Sequence, residues 1–246
     1  MTSLTAKFLQ PLGAAEQAAV MAVAQPWKAG AEEVLYRPGH PVPGIWLLDV
    51  GMVRYEVITA EGRQVIPAFS LPGACFGELE ILEQRVSEVA AVTSMPCEGW
   101  VLSAASMLEA VESVPGFSKL MLLKLARNVR VSQSLYRMAL VMGQHERLVL
   151  ALLNLAQQVV GHDGQAKLVF PFTQETLCQV TGSSRQVVSK YLRQWGERGW
   201  IAPRYRSLEI LDSKGLKSVF PQTVDPELFV LLHRTALGVL PALTVK

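Results

Sequence analysis

Short apolar runs punctuated by glycine fill the first hundred residues, and longer stretches with an apolar position every three to four residues follow. Residues 34–36, 45–48, 52–58, 64–69, 89–92 and 99–102 are rich in β-branched and aromatic side chains, the composition that suits a half-buried pleated strand. Pro38-Gly39, Val50-Gly51, Glu61-Gly62 and Pro72-Gly73 separate them as turn signals. Several short strands closed by such turns predict a small antiparallel barrel or roll. Ahead of it, residues 12–23 predict a short helix.

Near the other end, residues 172–195 read as helix, tight turn and second helix. Thr173 suits the cap of the first helix, with Gln174 and Glu175 in its opening turn and Leu177 and Val180 on its inner side. Gly182 permits the reversal that a two-helix DNA reader needs. Ser184 then caps a helix whose inner stripe is Val187, Val188, Tyr191, Leu192 and Trp195. Arg185, Gln186, Ser189, Lys190 and Arg193 fall on the other side. With no acid from Ser183 through Trp195, that face is expected to be uniformly positive. An arginine and a glutamine in the first turn, with a lysine one turn on, suit readout of the major groove. Trp200-Ile201 and residues 208–211 then bracket a short hairpin, a wing whose tip would carry Arg204 and Arg206 to a phosphate backbone.

Between these regions, Ser113-Val114-Pro115-Gly116 breaks the pattern and a long helix is predicted from there to about Met142. Leu122, Leu125, Val129, Ser132, Tyr136 and Ala139 alternate spacings of three and four, which is a coiled-coil seam weakened at Ser132. A second set, Val131, Leu135, Met138 and Met142, is expected to face the roll. A two-sided helix joining a sensing roll to a DNA reader is expected to dimerise, because paired reading helices must meet half-sites about one turn of DNA apart. The expected fold class is therefore α+β. Residues 1–115 are the sensing roll, 116–143 the dimerisation helix, 144–216 a winged helix-turn-helix, and 217–246 an extension. In that extension Asp225-Pro226-Glu227 starts a predicted helix running through Leu240.

Composition changes this picture only slightly. Of 246 residues half are hydrophobic, ample for packed cores, and the net charge is +2. Residues 1–143 carry 11 basic and 13 acidic side chains, while 144–216 carry 9 and 6. Such a modest basic excess around the helix pair favours site-specific binding over indiscriminate coating of DNA. The three cysteines, Cys75, Cys97 and Cys178, are widely spaced and imply neither a zinc site nor an iron–sulfur cage. The first residues lack the apolar core of a signal peptide, and no uncharged apolar run reaches the ~18 residues of a membrane span. A cytoplasmic chain that does not engage the membrane is expected. His40, His145, His162 and His233 are scattered, and no nucleophile–base pair, metal triad or phosphate loop points to an enzyme.

Arg37-Pro38-Gly39, Gly51, Pro72-Gly73 leading to Phe76-Gly77-Glu78-Leu79, Arg147 with residues 152–156, and residues 182–190 occur in an order and spacing that resemble the Crp/Fnr family of bacterial transcription regulators, over nearly the whole chain. The resemblance implies a cyclic-nucleotide-type β-roll, a dimerisation helix and a winged helix. It also implies DNA and a second copy of the chain as partners, and allows RNA polymerase as a further one. Arg185 stands where the family has an arginine that contacts guanine, while Gln186 replaces the usual glutamate and Lys190 the usual arginine. Glutamine suits adenine rather than cytosine and lysine lacks the guanidinium fork, so the half-site is expected to be related to the family's commonest one but not identical. The DNA-contacting set is thus Ser184, Arg185, Gln186, Ser189, Lys190, Arg193, Arg204 and Arg206.

For the effector, Gly77-Glu78 matches the pair whose glutamate takes the ribose hydroxyl in cyclic-AMP binders resembling this fold, with Leu79 following it. The arginine that would pair with the cyclic phosphate is replaced by Ser87 or Glu88, and a carboxylate there would repel a phosphate. Ser132 and Gln133 align with the polar pair that touches the purine. The cofactor is therefore left open and ordinary cyclic-AMP binding is not expected. Cys75 and His40 are the candidates for an axial haem ligand, and Cys75 with Cys97 for a redox response. The competing class is a cyclic-nucleotide-binding signalling module whose C-terminal helices bind protein rather than DNA.

Overall fold

Regular hydrogen-bonded strands begin at residue 25, directly after a helix at Ala14–Ala22 (α1). The computed structural model describes residues 6–157, 167–168, 173–204 and 207–220, which fall into two units, 6–57 with 67–130, and 58–66 with 131–220. In chain order the roll comprises β1 (Gln25–Ala29), β2 (Val34–Tyr36), β3 (Gly44–Val50), β4 (Val53–Ile58), β5 (Gln64–Val65), β6 (Phe69–Ser70), β7 (Cys75–Phe76), α2 (Glu78–Glu83), β8 (Ala90–Thr93), β9 (Cys97–Ser103) and α3 (Ala104–Ser113). One sheet runs β1–β9–β3–β7 and the other β2–β8–β4–β5, with β6 also on β4. The pairings of β1 with β9, β3 with β7 and β9, and β8 with β2 and β4 are all antiparallel.

Strand β3 is buried along nearly its whole length because it has a partner on each edge. Trp46 faces Val101 on one side and Phe76 on the other, and its ring stacks on Phe76 at 5.4 Å. Ile45, Leu47, Leu48, Leu102, Met107 and Phe117 fill the centre. The predicted run 64–69 is two strands rather than one, since Pro67 has no N–H to give a ladder. The edge strand β1 carries Pro26 and Lys28, residues that mark an unpaired strand edge and hide it from a pattern search. The segment 58–66, which runs from the end of β4 through β5, groups with the second unit, where the Ile66 N–H donates to the Gln179 carbonyl at 3.1 Å.

The helix α4 (Pro115–Val141) starts on the very residues that read as an interruption. Proline fits the first helical position, where its missing N–H is not needed, and the Gly116 N–H donates to Glu16 Oε1 of α1 at 2.8 Å. The α4 side chains in the roll core are Phe117, Leu120 and Met121. Val131, Leu135, Met138 and Met142, expected to face the roll, belong to the second unit, and Met142 is buried beyond the end of α4.

That unit holds α5 (Gln144–Gln157), β10 (Lys167–Leu168), α6 (Gln174–Thr181), α7 (Arg185–Glu197), β11 (Ile201–Arg204), β12 (Ser207–Ile210) and α8 (Ser213–Lys217). Helix α6 packs on α5 and α7, and α7 packs on β11 of the antiparallel sheet β10–β12–β11. Leu148, Val149 and Leu152 from α5, Leu177 from α6, and Val188, Leu192 and Trp195 from α7 are buried there. Arg204 closes β11 opposite Ser207, so the wing is formed, while the Arg206 site and the helix expected from Asp225 lie outside the described residues.

Candidate nucleic-acid interface and effector pocket

Three local signals place the reading helix. Thr173 Oγ1 accepts the Thr176 N–H at 3.1 Å and starts α6. Gly182 adopts the left-handed conformation (φ 64°) that reverses the chain and that a side chain would strain. Ser184 Oγ then accepts the Val187 N–H at 3.4 Å and starts α7, spending that side chain on the cap. Val188, Leu192 and Trp195 anchor one side of α7, with Val187 and Tyr191 half-buried. On the other side Arg185, Gln186, Ser189, Lys190 and Arg193 are exposed and, with Gln174, line one open groove. A capped, apolar-anchored helix showing its polar side to solvent has the dimensions and donors to enter a major groove.

The face is not uniformly positive, however. Arg185 donates from Nε to Glu175 Oε2 of α6 at 2.8 Å, and its Nη2 donates to the same oxygen. Arg193 Nε lies 3.9 Å from Glu197. The acid-free stretch 183–195 concealed both partners, because one sits on the preceding helix and the other one turn beyond. Behind α7, the His145 ring of α5 stacks on Tyr191 at 4.4 Å, and its Nε2 accepts the Trp195 Nε1–H at 3.0 Å. Burial, opposed by Glu146 and reinforced by Arg198, holds the His145 pKa below the ordinary histidine value.

In the roll, Gly77 caps α2 with φ 93°, and a Cβ there would meet the Gly44 carbonyl oxygen at 2.7 Å. Glu78, at the start of α2, is 2 % exposed. Its Oε1 accepts from Nζ of Lys124, a half-buried residue of α4. Nothing in the spacing of residues 78 and 124 announces this partner; the signal is that a carboxylate so deeply buried needs a cation. Leu79, beside it, is half exposed.

Of the two residues offered for the phosphate-binding position, only Ser87 is inside. Its Oγ lies 3.1 Å from Glu80 Oε1 and 3.0 Å from the Val89 carbonyl, and it accepts the Val89 N–H. Glu88 points to solvent with its side chain 83 % exposed and Arg85 3.5 Å away, so of the two alternatives the inward one is the Ser87 hydroxyl, held against the half-buried Glu80 carboxylate, and the outward one is Glu88. The register puts residue 87 inward and 88 outward. Ser132 and Gln133 are exposed on the part of α4 that belongs to the second unit. Burial raises the thiol pKa values of Cys75, Cys97 and Cys178 alike, which keeps each a poor thiolate. Among the described residues no helix is long and apolar enough to cross a membrane, and no cluster of three or more His, Cys, Asp or Glu could hold a metal.

A β-roll, a long helix and a winged helix-turn-helix define a DNA-binding regulator with a sensing-type front domain. Residues 26–114 match the cyclic nucleotide-binding domain, and residues 146–219 match the Crp-like helix-turn-helix domain. The CRP-like cAMP-activated global transcriptional regulator of Mycobacterium tuberculosis is 26 % identical over 183 residues, 74 % of this chain and 82 % of that protein. The transcriptional regulator SdrP of Thermus thermophilus is 27 % identical over 198 residues, 78 % of this chain and 92 % of that protein. A solved CRP-family regulator, also from Thermus thermophilus, superposes with a TM-score of 0.63 at 26 % identity, covering 78 % of this chain and 95 % of that one. The chain belongs to the Crp/Fnr family of transcription regulators, proteins that bind DNA through this helix-turn-helix.

Proposed function

We propose that this regulator is a cytoplasmic homodimer that reads a specific operator with α7, and that its roll does not take cyclic AMP in the ordinary way. The observation that carries the first part is the single exposed face of Arg185, Gln186, Ser189, Lys190 and Arg193 on a helix anchored by Trp195. Arg185, Gln186 and Lys190 read base edges, Ser189 and Arg193 support them, and Arg204 and Arg206 of the wing hold phosphates. RNA polymerase is the partner that a bound regulator of this kind addresses.

Dimerisation is supported by Leu122, Val129 and Tyr136, spaced seven apart on α4 and each more than half exposed, a stripe that a second copy would cover. The pocket reading is supported by Lys124, which already occupies the Glu78 carboxylate, and by Ser87, a neutral side chain where a cyclic phosphate would need a cation. The Mycobacterium tuberculosis relative is named for activation by cyclic AMP. In this chain the corresponding chemistry is taken up internally.

Selection from random duplexes by the purified protein tests the DNA reading. A palindrome is expected, and Arg185→Ala is expected to lose its sequence preference while the dimer stays intact. No enrichment would sink that reading and favour the protein-binding alternative. Calorimetric titration with cyclic AMP tests the pocket: micromolar binding abolished by Glu78→Gln would overturn it.

A further inference from the structure

The arginine that would read a base is not a free side chain. Arg185 is 77 % exposed, yet both its Nε and its Nη2 donate to one oxygen of Glu175 across the turn between α6 and α7. Both ends of this pair are held. Glu175 lies in the first turn of α6, which is fixed by the Thr173 cap and the buried Leu177. Arg185 opens α7 behind the Ser184 cap. The separation of ten residues spans Gly182, so the pair reports the geometry of the turn rather than of one helix.

A guanidinium has five N–H groups on a rigid plane. Glu175 engages the edge formed by Nε and Nη2 and leaves the end formed by Nη1 and Nη2. That end presents the two parallel donors which fit O6 and N7 of a guanine. A long exposed side chain otherwise loses its rotamer freedom when it binds, and holding it beforehand removes that loss. The carboxylate also stands beside the reading face, where it disfavours contacts made to phosphates without the correct base.

We propose that Glu175 is a specificity-determining positioning residue, which holds the Arg185 guanidinium by one edge and aims the other at a guanine. This rests on the reading of α7 as the recognition helix. Exposed ion pairs add little to folding stability, so the effect is seen on DNA and not in the melting temperature.

The test is binding-site selection, followed by titration of the selected duplex and of a random-sequence duplex, with the full-length dimer. The base position read by Arg185 is the one whose preference Arg185→Ala removes. Glu175→Gln is expected to weaken the guanine preference at that position ~3-fold or more, leave the other positions unchanged, and tighten binding to random duplex. Tighter binding to every duplex with the guanine preference intact would mean Glu175 acts only as a charge, and the proposal falls. A uniform loss at all positions would mean it only supports the fold of α6, and the proposal falls equally. If Arg185→Ala changes no position, the recognition reading itself fails; if it does and Glu175→Gln does not, only the positioning role fails.

Discussion

Each of the two candidate sites is closed by one carboxylate and one cation, and the two pairs differ in burial. Glu78 and Lys124 have side chains 3 % and 14 % exposed, whereas Glu175 and Arg185 are 46 % and 77 % exposed. Water competes for the second pair and barely reaches the first. An exposed pair is worth about 0–1 kcal/mol, while removing one partner of a buried pair costs about 3–5 kcal/mol because the other charge is left stranded. The same chemistry therefore does opposite things. In the roll it ties α4 to α2. On the reading face it is an exposed contact, weak enough for a competing partner to displace.

The largest expected effect tests the buried member. Lys124→Met should destabilise the roll by about 3–5 kcal/mol in urea unfolding, since Glu78 loses its cation while remaining inside. The double variant Glu78→Gln, Lys124→Met should recover most of that loss, because no charge is then left stranded. Equal stabilities for wild type and Lys124→Met would show that the two pairs do not differ as described.

How much of this was legible in the sequence follows the range of the interactions. Residues 173–197 were read almost to the residue, because Thr173, Gly182 and Ser184 set caps and a turn by bonds to backbone within three positions. Strand β2 was equally plain, while β1 was hidden by Pro26 and Lys28 and β7 by being two residues long. Gly77-Glu78 was recognisable as a pair, but its partner lies 46 residues on, and nothing local to either residue announces it. Glu175 was read as a first-turn acid, which it is, and its second role depends on the angle between two helices. The choice left open between Ser87 and Glu88 has the same root: alternation alone does not say which of two neighbours faces in, and in the fold it is Ser87 that is buried.

A second expected effect concerns α4, which shows one side to the roll and leaves another uncovered. Phe117, Leu120 and Met121 are buried, while Leu122, Val129 and Tyr136 stand exposed at intervals of seven. Val129→Asp should weaken the proposed dimer by about 2–4 kcal/mol, the range of a central interface residue, and shift sedimentation toward monomer at low micromolar protein. The roll should unfold as before, because Val129 has no part in its core. An unshifted dimer would place the contact between copies elsewhere on the chain.

The smallest effect separates the two units by pH. In the roll the buried polar contact is a charged pair, whereas behind α7 it is a neutral one. His145 Nε2 can accept the Trp195 Nε1–H only while the ring is unprotonated. The groups facing that ring are Glu146 on its own helix, Tyr191 and Trp195 on α7, and Arg198 just after α7. Burial, with Glu146 opposing and Arg198 assisting, lowers the folded-state pKa, so the unfolded chain binds a proton at higher pH than the folded one. Between the two values the unfolded state holds more protons, and stability rises with pH. The His145 contribution is thus complete above about pH 6.5, the ordinary histidine value, and is lost as pH falls through the lower folded-state value. One hydrogen bond sets its scale at about 1 kcal/mol. Urea unfolding of wild type and His145→Phe from about pH 5 to about pH 8 should give curves that diverge as pH rises, the variant lacking that slope. Parallel curves would mean that His145 titrates as if it faced water, and that the contact behind the reading helix does not require the neutral ring.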